Sequence, residues 1–211
     1  MKTASDGSTG PAPAAPVGVV LAGGSSSRMG HDKALLAAGG ESLPALAARR
    51  LAKVCAEVAV ADRGRGLLPG PPSLSDGPGR GPAAGILGGA EAYPGRRLLV
   101  LACDLPWVPE KLLAALSRLD GCDCVFPRWR EGLEPLCALY GPAALAAIGR
   151  RAARGLFALH RLAEEEGLAV RILEGDDLAR FGDPEEIFLN LNTPGDWERY
   201  LASEAISRRK S

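Results

Sequence analysis

Val17-Gly18-Val19-Val20-Leu21-Ala22-Gly23-Gly24-Ser25-Ser26-Ser27-Arg28-Met29-Gly30-His31-Asp32-Lys33 is the stretch around which the rest of the chain can be read. It opens with five nearly continuous apolar residues rich in valine, the pattern of a strand buried on both faces. It then breaks into Gly23-Gly24 and three serines and ends with two cations, Arg28 and Lys33. Such a loop suits phosphate, because glycine lets backbone N–H groups approach an anion and the cations neutralise it. The same residues also fit a plain flexible strand-to-helix turn. Arginine outnumbers lysine 20 to 5, so a lysine inside a glycine-rich loop carries more information than any single arginine.

Working outward, 211 residues favour one domain with a real core, because nothing mid-chain reads as a long linker. A formal net charge of zero and a pI near 6.7 argue against non-specific nucleic-acid binding, which needs a basic surplus. The five cysteines are irregularly spaced and only two histidines accompany them, which disfavours a zinc site. They read as reduced apolar residues of a cytoplasmic protein. Residues 1–16 are Pro, Ala, Gly and Ser-rich and predict a disordered tail. Residues 17–203 form the single domain and 204–211 a short C-terminal tail. No window approaches the roughly 20 apolar residues of a membrane span.

Strand and helix patterns alternate along the chain. Residues 43–55 carry the spacing of an amphipathic helix, 57–61 of a second strand, and 97–102 (RLLVLA) of a third. Pro82 opens a helix to about Ala92. The Gly/Pro-rich stretch 63–81 is a long loop of the kind that carries function. Helices follow at 109–119, 142–150 and 156–166, with strands at 124–126, 134–140 and 169–173. A helical turn at 176–181 precedes a last helix that starts at Asn192-Thr193-Pro194 and runs to about Ala202. There Thr193 is the N-cap and Asp196 its box-like partner. Repeated βα units predict a Rossmann-like three-layer α/β/α fold with a mostly parallel sheet. In such sheets ligands bind beyond the carboxyl ends of strands. That rule selects the loop after the first strand, the long loop after the second, and Asp104 after the third.

Neither common phosphate motif is present. Gly30 is followed by His31-Asp32-Lys33, which breaks a Walker A, and G-x-G-x-x-G is missing. The pairs Gly39-Gly40 and Gly88-Gly89 are assigned no function. Asp104 reads equally as a turn or N-cap aspartate before Pro106 and as a ligand for Mg²⁺, which takes one or two carboxylates plus phosphate oxygens. Asp76 reads first as a loop aspartate, and second as an acceptor for the ring N–H and amino group of guanine. His31 and His160 offer poor material for a catalytic triad.

Taken in order, LAGGSSSRMGHDKALL at 21–36, GPAAGI at 81–86, ACDLP at 102–106, EPLCALY at 134–140 and NLNTPGDW at 190–197 resemble the molybdenum cofactor guanylyltransferases, the MobA family of nucleotidyltransferases. The resemblance spans nearly the whole chain outside its tails. It implies a fold of nucleotidyltransferase type and transfer of GMP from GTP to the terminal phosphate of molybdopterin, with release of pyrophosphate. Carried over by position, Leu21, Ala22, Gly23 and Gly24 would line the nucleotide, and Arg28 and Lys33 would hold the triphosphate. Asp76 would contact guanine, Asp104 would bind Mg²⁺, and Asn192 would reach the same metal. Lys33, Arg28 and Asp104 are then the catalytic set. The resemblance also implies transient contact with cofactor-biosynthesis or molybdoenzyme proteins. Two departures stand out: Ala61-Asp62 where relatives often have Asn, and Glu134 where an amide is common.

The alternatives within the enzyme class are a molybdopterin cytidylyltransferase or a sugar-phosphate nucleotidyltransferase, which more often read Ala-Ala-Gly where this chain has Ala22-Gly23-Gly24. A nucleotide- or pterin-binding carrier is the non-enzymatic one, and Lys33 with Asp104 weighs against it.

Overall fold

The structure is a computed structural model that describes residues 14–23, 37–38, 41–130 and 132–209. The elements in chain order are β1 (Val17–Leu21), β2 (Ala37–Ala38), β3 (Glu41–Ser42), α1 (Leu43–Leu51), β4 (Val58–Ala61), β5 (Ser73–Leu74) and α2 (Pro82–Ala92). They continue with β6 (Leu98–Ala102), α3 (Glu110–Arg118), β7 (Cys124–Trp129), β8 (Gly132–Leu133), β9 (Cys137–Tyr140) and α4 (Pro142–Ala153). A 3₁₀ segment (Leu159–Glu164), β10 (Val170–Leu173), α5 (Asp176–Ala179), α6 (Pro184–Ile187) and α7 (Pro194–Arg209) complete the chain.

The main sheet has the order β10-β7-β9-β6-β1-β4-β5, with β8 paired to β7. β1 lies at its centre, parallel to β4 and β6. Its alternation divides the core. Val17 and Val19 join Ile86, Leu98, Val100, Phe126, Tyr140, Leu145 and Ile148 on the face covered by α2 and α4. Val20 joins Leu51, Leu99, Leu101, Leu112, Leu116, Val125 and Phe188 on the other. The period of two in a strand makes this division, and burial of both faces explains why β1 and β6 read as unbroken apolar runs.

The helices begin where local chemistry starts them. The Ser42 hydroxyl accepts from the Ala45 N–H at 3.4 Å to cap α1, and Pro82 sits in the first turn of α2. At α7, the Asp196 N–H donates to Thr193 Oγ1 (3.2 Å) while Asp196 Oδ2 accepts from the Thr193 N–H (2.8 Å), the predicted capping box. α7 docks through Tyr200, which packs edge-on to Trp107 (5.1 Å) and stacks on Trp197 (5.9 Å).

Several expectations are corrected. The last residues of the predicted N-terminal tail are held: Pro16 is buried, and Arg96 and Arg97 donate to the carbonyls of Ala15 (3.0 Å) and Ala14 (3.5 Å). Residues 1–13 lie outside the described ones. At the other end α7 runs on to Arg209 rather than stopping near Ala202, because no Gly or Pro follows Gly195 to end it. The first helix ends at Leu51, short of Cys55. The helix expected over 156–166 is a 3₁₀ segment, cut from α4 by Gly155 at φ +75°. Strand 134–140 begins only at Cys137, because Pro135 and Leu136 turn. β9 also runs antiparallel to both β6 and β7.

All five cysteines are free thiols. Burial pushes Cys55 and Cys124 up to about 12 and Cys137 higher still, so these three are inert packing groups.

Candidate active site

β1, β4 and β6 end level with one another: Leu21 pairs with Ala61 on one side and Ala102 on the other. The Ala22 N–H donates to the Ala61 carbonyl (3.0 Å) and the Cys103 N–H to the Leu21 carbonyl (3.1 Å). The three loops that the strand-edge rule selects therefore leave the sheet side by side.

The loop after β4 is organised by Asp62, which is fully buried. Its Oδ2 accepts from the Leu67 N–H at 2.8 Å, and its Oδ1 accepts from the Ser73 hydroxyl. This clasp folds residues 62–73 back along the sheet and lets Ser73–Leu74 add β5 beside β4. Arg65 donates to the Asp62 carbonyl (2.9 Å) and the Ala22 carbonyl (2.8 Å), tying the loop to the end of β1. Arg63, with φ +65°, pairs through Nε with Asp76 Oδ2 at 3.2 Å. The same side chain lies beside Gly23, where a Cβ would stand 3.5 Å from Arg63 Nε.

Asp76 is held by close packing on α2. The Gly77 N–H donates to the Ala84 carbonyl (2.9 Å). A Cβ on Gly77 would stand 2.7 Å from the Gly88 nitrogen, and one on Gly88 would stand 2.0 Å from the Ser75 carbonyl oxygen. Gly88 is therefore required by the packing, since only a residue without a side chain lets this loop lie on the helix.

On the other side of β1, Asp104 is half-buried at the end of β6. Its carbonyl accepts from the Leu191 N–H at 2.9 Å, which brings Asn190-Leu191-Asn192 alongside. Arg50 of α1 donates to the carbonyls of Pro106 and Val108 (3.0 Å to the latter), fixing the turn that follows. Glu134 faces Asp104 from the turn before β9. Burial pushes its carboxyl up to about 7, the Asp104 charge adds to the rise, and a hydrogen bond from the Leu136 N–H opposes it. Tyr140 donates to the Pro135 carbonyl at 2.7 Å, so the first and last parts of EPLCALY brace each other.

Residues 18–169 match the MobA-like NTP transferase domain. The chain belongs to this family. A probable molybdenum cofactor guanylyltransferase of Pelotomaculum thermopropionicum is 34% identical to it over 189 residues, covering 85% of this chain and 88% of the relative. A molybdenum cofactor biosynthesis bifunctional protein of Synechocystis is 33% identical over 192 residues, covering 85% of this chain and 52% of that protein. Among solved structures, molybdopterin-guanine dinucleotide biosynthesis protein A of Archaeoglobus fulgidus aligns with a TM-score of 0.74 at 25% identity, over 91% of this chain and 99% of its own. The 2-C-methyl-D-erythritol 4-phosphate cytidylyltransferase of Thermus thermophilus shares the fold, with a TM-score of 0.60 at 20% identity over 90% and 98% of the two chains.

In this NTP transferase, Leu21, Ala22, Gly23, Asp76, Asp104 and Asn192 gather at one edge of the sheet. Gly24, Arg28 and Lys33 lie outside the described residues, as does His31. His160 is exposed on the 3₁₀ segment. The expected backbone contacts of Leu21 and Ala22 are engaged within the protein: the Leu21 carbonyl accepts from Cys103, and both backbone groups of Ala22 are bonded. They shape the floor of the site, and their carbonyls keep a second lone pair. Sequence reasoning missed Arg63 and Arg65. The available signal was their position just past the second strand, in a loop already marked as functional. Among the described residues no group of three or more His, Cys, Asp or Glu side chains could hold a metal by itself.

Proposed function

We propose that this chain transfers GMP from GTP to the terminal phosphate of molybdopterin and releases pyrophosphate. The observation that carries the reading is the meeting of Gly23, the Arg63–Asp76 pair and the Asp104–Leu191 contact at one sheet edge. The names of relatives that align over most of the chain support the choice of substrates.

In this reading Asp76 accepts from the ring N–H and amino group of guanine, and Arg28 and Lys33 hold the triphosphate. The acceptor is a phosphate monoester whose second pKa of about 6 leaves it anionic at neutral pH, so no general base is required. Its oxygen bonds to the α-phosphorus as the bond from that phosphorus to the bridging oxygen breaks, and pyrophosphate departs. The obstacle is repulsion between two anions, which the cations offset.

Asp104 fits a Mg²⁺ ligand. It supplies a carboxylate at the mouth of the site, and the rise it contributes at Glu134 marks a concentration of negative potential there. The remaining ligands would be triphosphate oxygens and water, the set Mg²⁺ prefers, with Asn192 following Leu191, whose N–H donates to the Asp104 carbonyl. When bound, the ion would stabilise charge developing on the leaving group. The five free thiols support a reducing, cytoplasmic setting.

The test is turnover of purified protein with molybdopterin, Mg²⁺ and either GTP or CTP. GTP is the expected donor. Asp104→Ala should abolish turnover and Lys33→Ala should reduce it severely, both with unchanged thermal unfolding. Turnover with CTP alone would refute the guanylyl assignment, and near-normal activity of either variant would remove that residue from the mechanism.

A further inference from the structure

Arg63 has no task in the reaction as described, yet it lies against two of the residues proposed to hold the nucleotide. Its guanidinium pairs through Nε with Asp76 Oδ2 at 3.2 Å. A Cβ on Gly23 would meet its Nε at 3.5 Å and its Cγ at 3.6 Å. The side chain thus crosses from the turn after β4 to the end of β1. We infer that Arg63 donates to the O6 and N7 acceptors of guanine beside Asp76 and so sets the choice of base; the inference rests on GTP being the donor, as proposed above.

The neighbouring groups are unsuited to that task. The Ala61 side chain is a buried methyl, and its carbonyl accepts from the Ala22 N–H (3.0 Å). The Asp62 carboxylate is turned inward onto Leu67 and Ser73. Arg65 is engaged by the carbonyls of Asp62 and Ala22. The Arg63 side chain is 49% exposed, and no described residue other than Asp76 pairs with it.

The backbone points the same way. Arg63 has φ +65° and Gly64 follows at φ +72°. A reversal of this hand is best served by Gly, Asn or Asp, and arginine there is strained. An ion pair as exposed as Arg63–Asp76 adds little stability to offset that strain. Stability therefore does not explain an arginine at this position.

The chemistry is complementary. Guanine presents N1–H and its amino group as donors and, on the adjoining edge, O6 and N7 as acceptors. A carboxylate accepts from the first pair. A guanidinium donates two parallel hydrogen bonds to the second, the commonest contact by which proteins read this base. With Nε toward Asp76, the two Nη groups of Arg63 form that fork. Adenine would meet the same two side chains badly. Its amino group would face the guanidinium and its unprotonated N1 the carboxylate, so donor meets donor and acceptor meets acceptor.

The experiment is isothermal titration calorimetry of full-length parent, Arg63→Gly and Arg63→Met with GTP, 7-deaza-GTP, ITP and ATP. 7-Deaza-GTP carries C–H in place of N7, and ITP lacks the amino group that faces Asp76. The parent should bind GTP about fivefold tighter than 7-deaza-GTP. Arg63→Gly should bind these two equally, and GTP about tenfold or more weaker than the parent does. Its preference for GTP over ATP should narrow while its preference for GTP over ITP persists. Glycine suits φ +65°, so this variant should unfold at or near the parent's temperature. Arg63→Met keeps an unbranched stem without donors and decides if the glycine variant fails to fold. A merely structural Arg63 would weaken GTP and 7-deaza-GTP by the same factor, and that result would overturn the assignment. Unchanged or tighter GTP binding by the folded variants would also overturn it, leaving Arg63 as a cover over Asp76. In both cases the parent still binds GTP, so the proposed donor survives; a parent that binds CTP and not GTP would sink donor and assignment together.

Discussion

Gly88→Ala isolates the contact that holds Asp76. In the middle of α2 this change would ordinarily stabilise by up to about 1 kcal/mol, because alanine loses less freedom on forming a helix. Here the new methyl carbon would stand 2.0 Å from the Ser75 carbonyl oxygen and 3.2 Å from the Gly77 nitrogen, the first far inside the 3.0 Å that real contacts of this kind respect. The obstacle is backbone on both sides, so no rotamer relieves it. The loop must move by about 1 Å, against the Gly77–Ala84 hydrogen bond. Overpacking of this sort costs roughly 1–3 kcal/mol, which offsets the propensity gain and leaves a net loss of up to about 2 kcal/mol. For a chain of this size that is a fall in Tm of up to about 8 °C. Because Asp76 moves with the loop, its pairing with Arg63 and the guanine contact proposed for it would be lost together, and the KM for GTP should rise about tenfold or more. Gly149→Ala in α4 is the matched control: the nearest atom to its Cβ is Leu87 Cδ2 at 3.9 Å, so it should gain about 0.5–1 kcal/mol. Differential scanning calorimetry and GTP kinetics on both variants decide the matter. If Gly88→Ala matches Gly149→Ala in Tm and leaves the KM for GTP unchanged, the loop is not seated on α2 as described.

Two further outcomes are expected. The Glu134 carboxyl is raised from 4.5 to about 7, so its protonated form is the one the fold favours, and its contribution is complete below pH 4.5 and lost as pH climbs through 7. Glu134→Gln should therefore be more stable than the parent at pH 8 by up to about 3 kcal/mol and show little advantage at pH 4.5; urea melts that run parallel at the two pH values would contradict this. Asp62→Ala removes the fully buried carboxylate that accepts from the Leu67 N–H and the Ser73 hydroxyl, which should cost roughly 1–3 kcal/mol. Limited proteolysis should then cut within 62–74, and a cleavage pattern identical to the parent's would contradict the clasp.

What could be read from sequence was whatever is decided locally. β1 and β6 announce themselves as apolar runs, Pro82 starts α2, and Thr193 and Asp196 cap α7 as the spacing predicts. The positions of Asp76 and Asp104 at one edge follow from parallel strands ending together, whereas Asn192 is brought there by the Leu191–Asp104 hydrogen bond. The reversal of β9 was not legible, because Cys137-Ala138-Leu139-Tyr140 is apolar on both faces and reads alike in either direction. The roles of Asp62 and Gly88 were hidden for another reason: each depends on a partner 5 to 13 residues away in the chain whose approach only the folded loop creates. Asp62 looked like a departure at a nucleotide contact and is instead the buried centre of a turn. Gly88-Gly89 looked incidental in a glycine-rich chain. Arg63 and Arg65 were indistinguishable from the other arginines until their partners were in view.

The reversed strand β9 has a consequence for the order in which the molecule can be built. It fills the gap between β6 and β7, yet it follows both in the chain. As the polypeptide leaves the ribosome, β5-β4-β1-β6 can pair first, and Leu98–Ala102 then stands as an apolar edge with no neighbour. That edge stays open while α3, β7 and β8 are made, and it closes only when Tyr140 has emerged. Nascent chains in this interval carry the kind of uncovered strand that recruits other strands. Synthesis speed across residues 103–140, rather than final stability, is therefore where this fold is most exposed to aggregation.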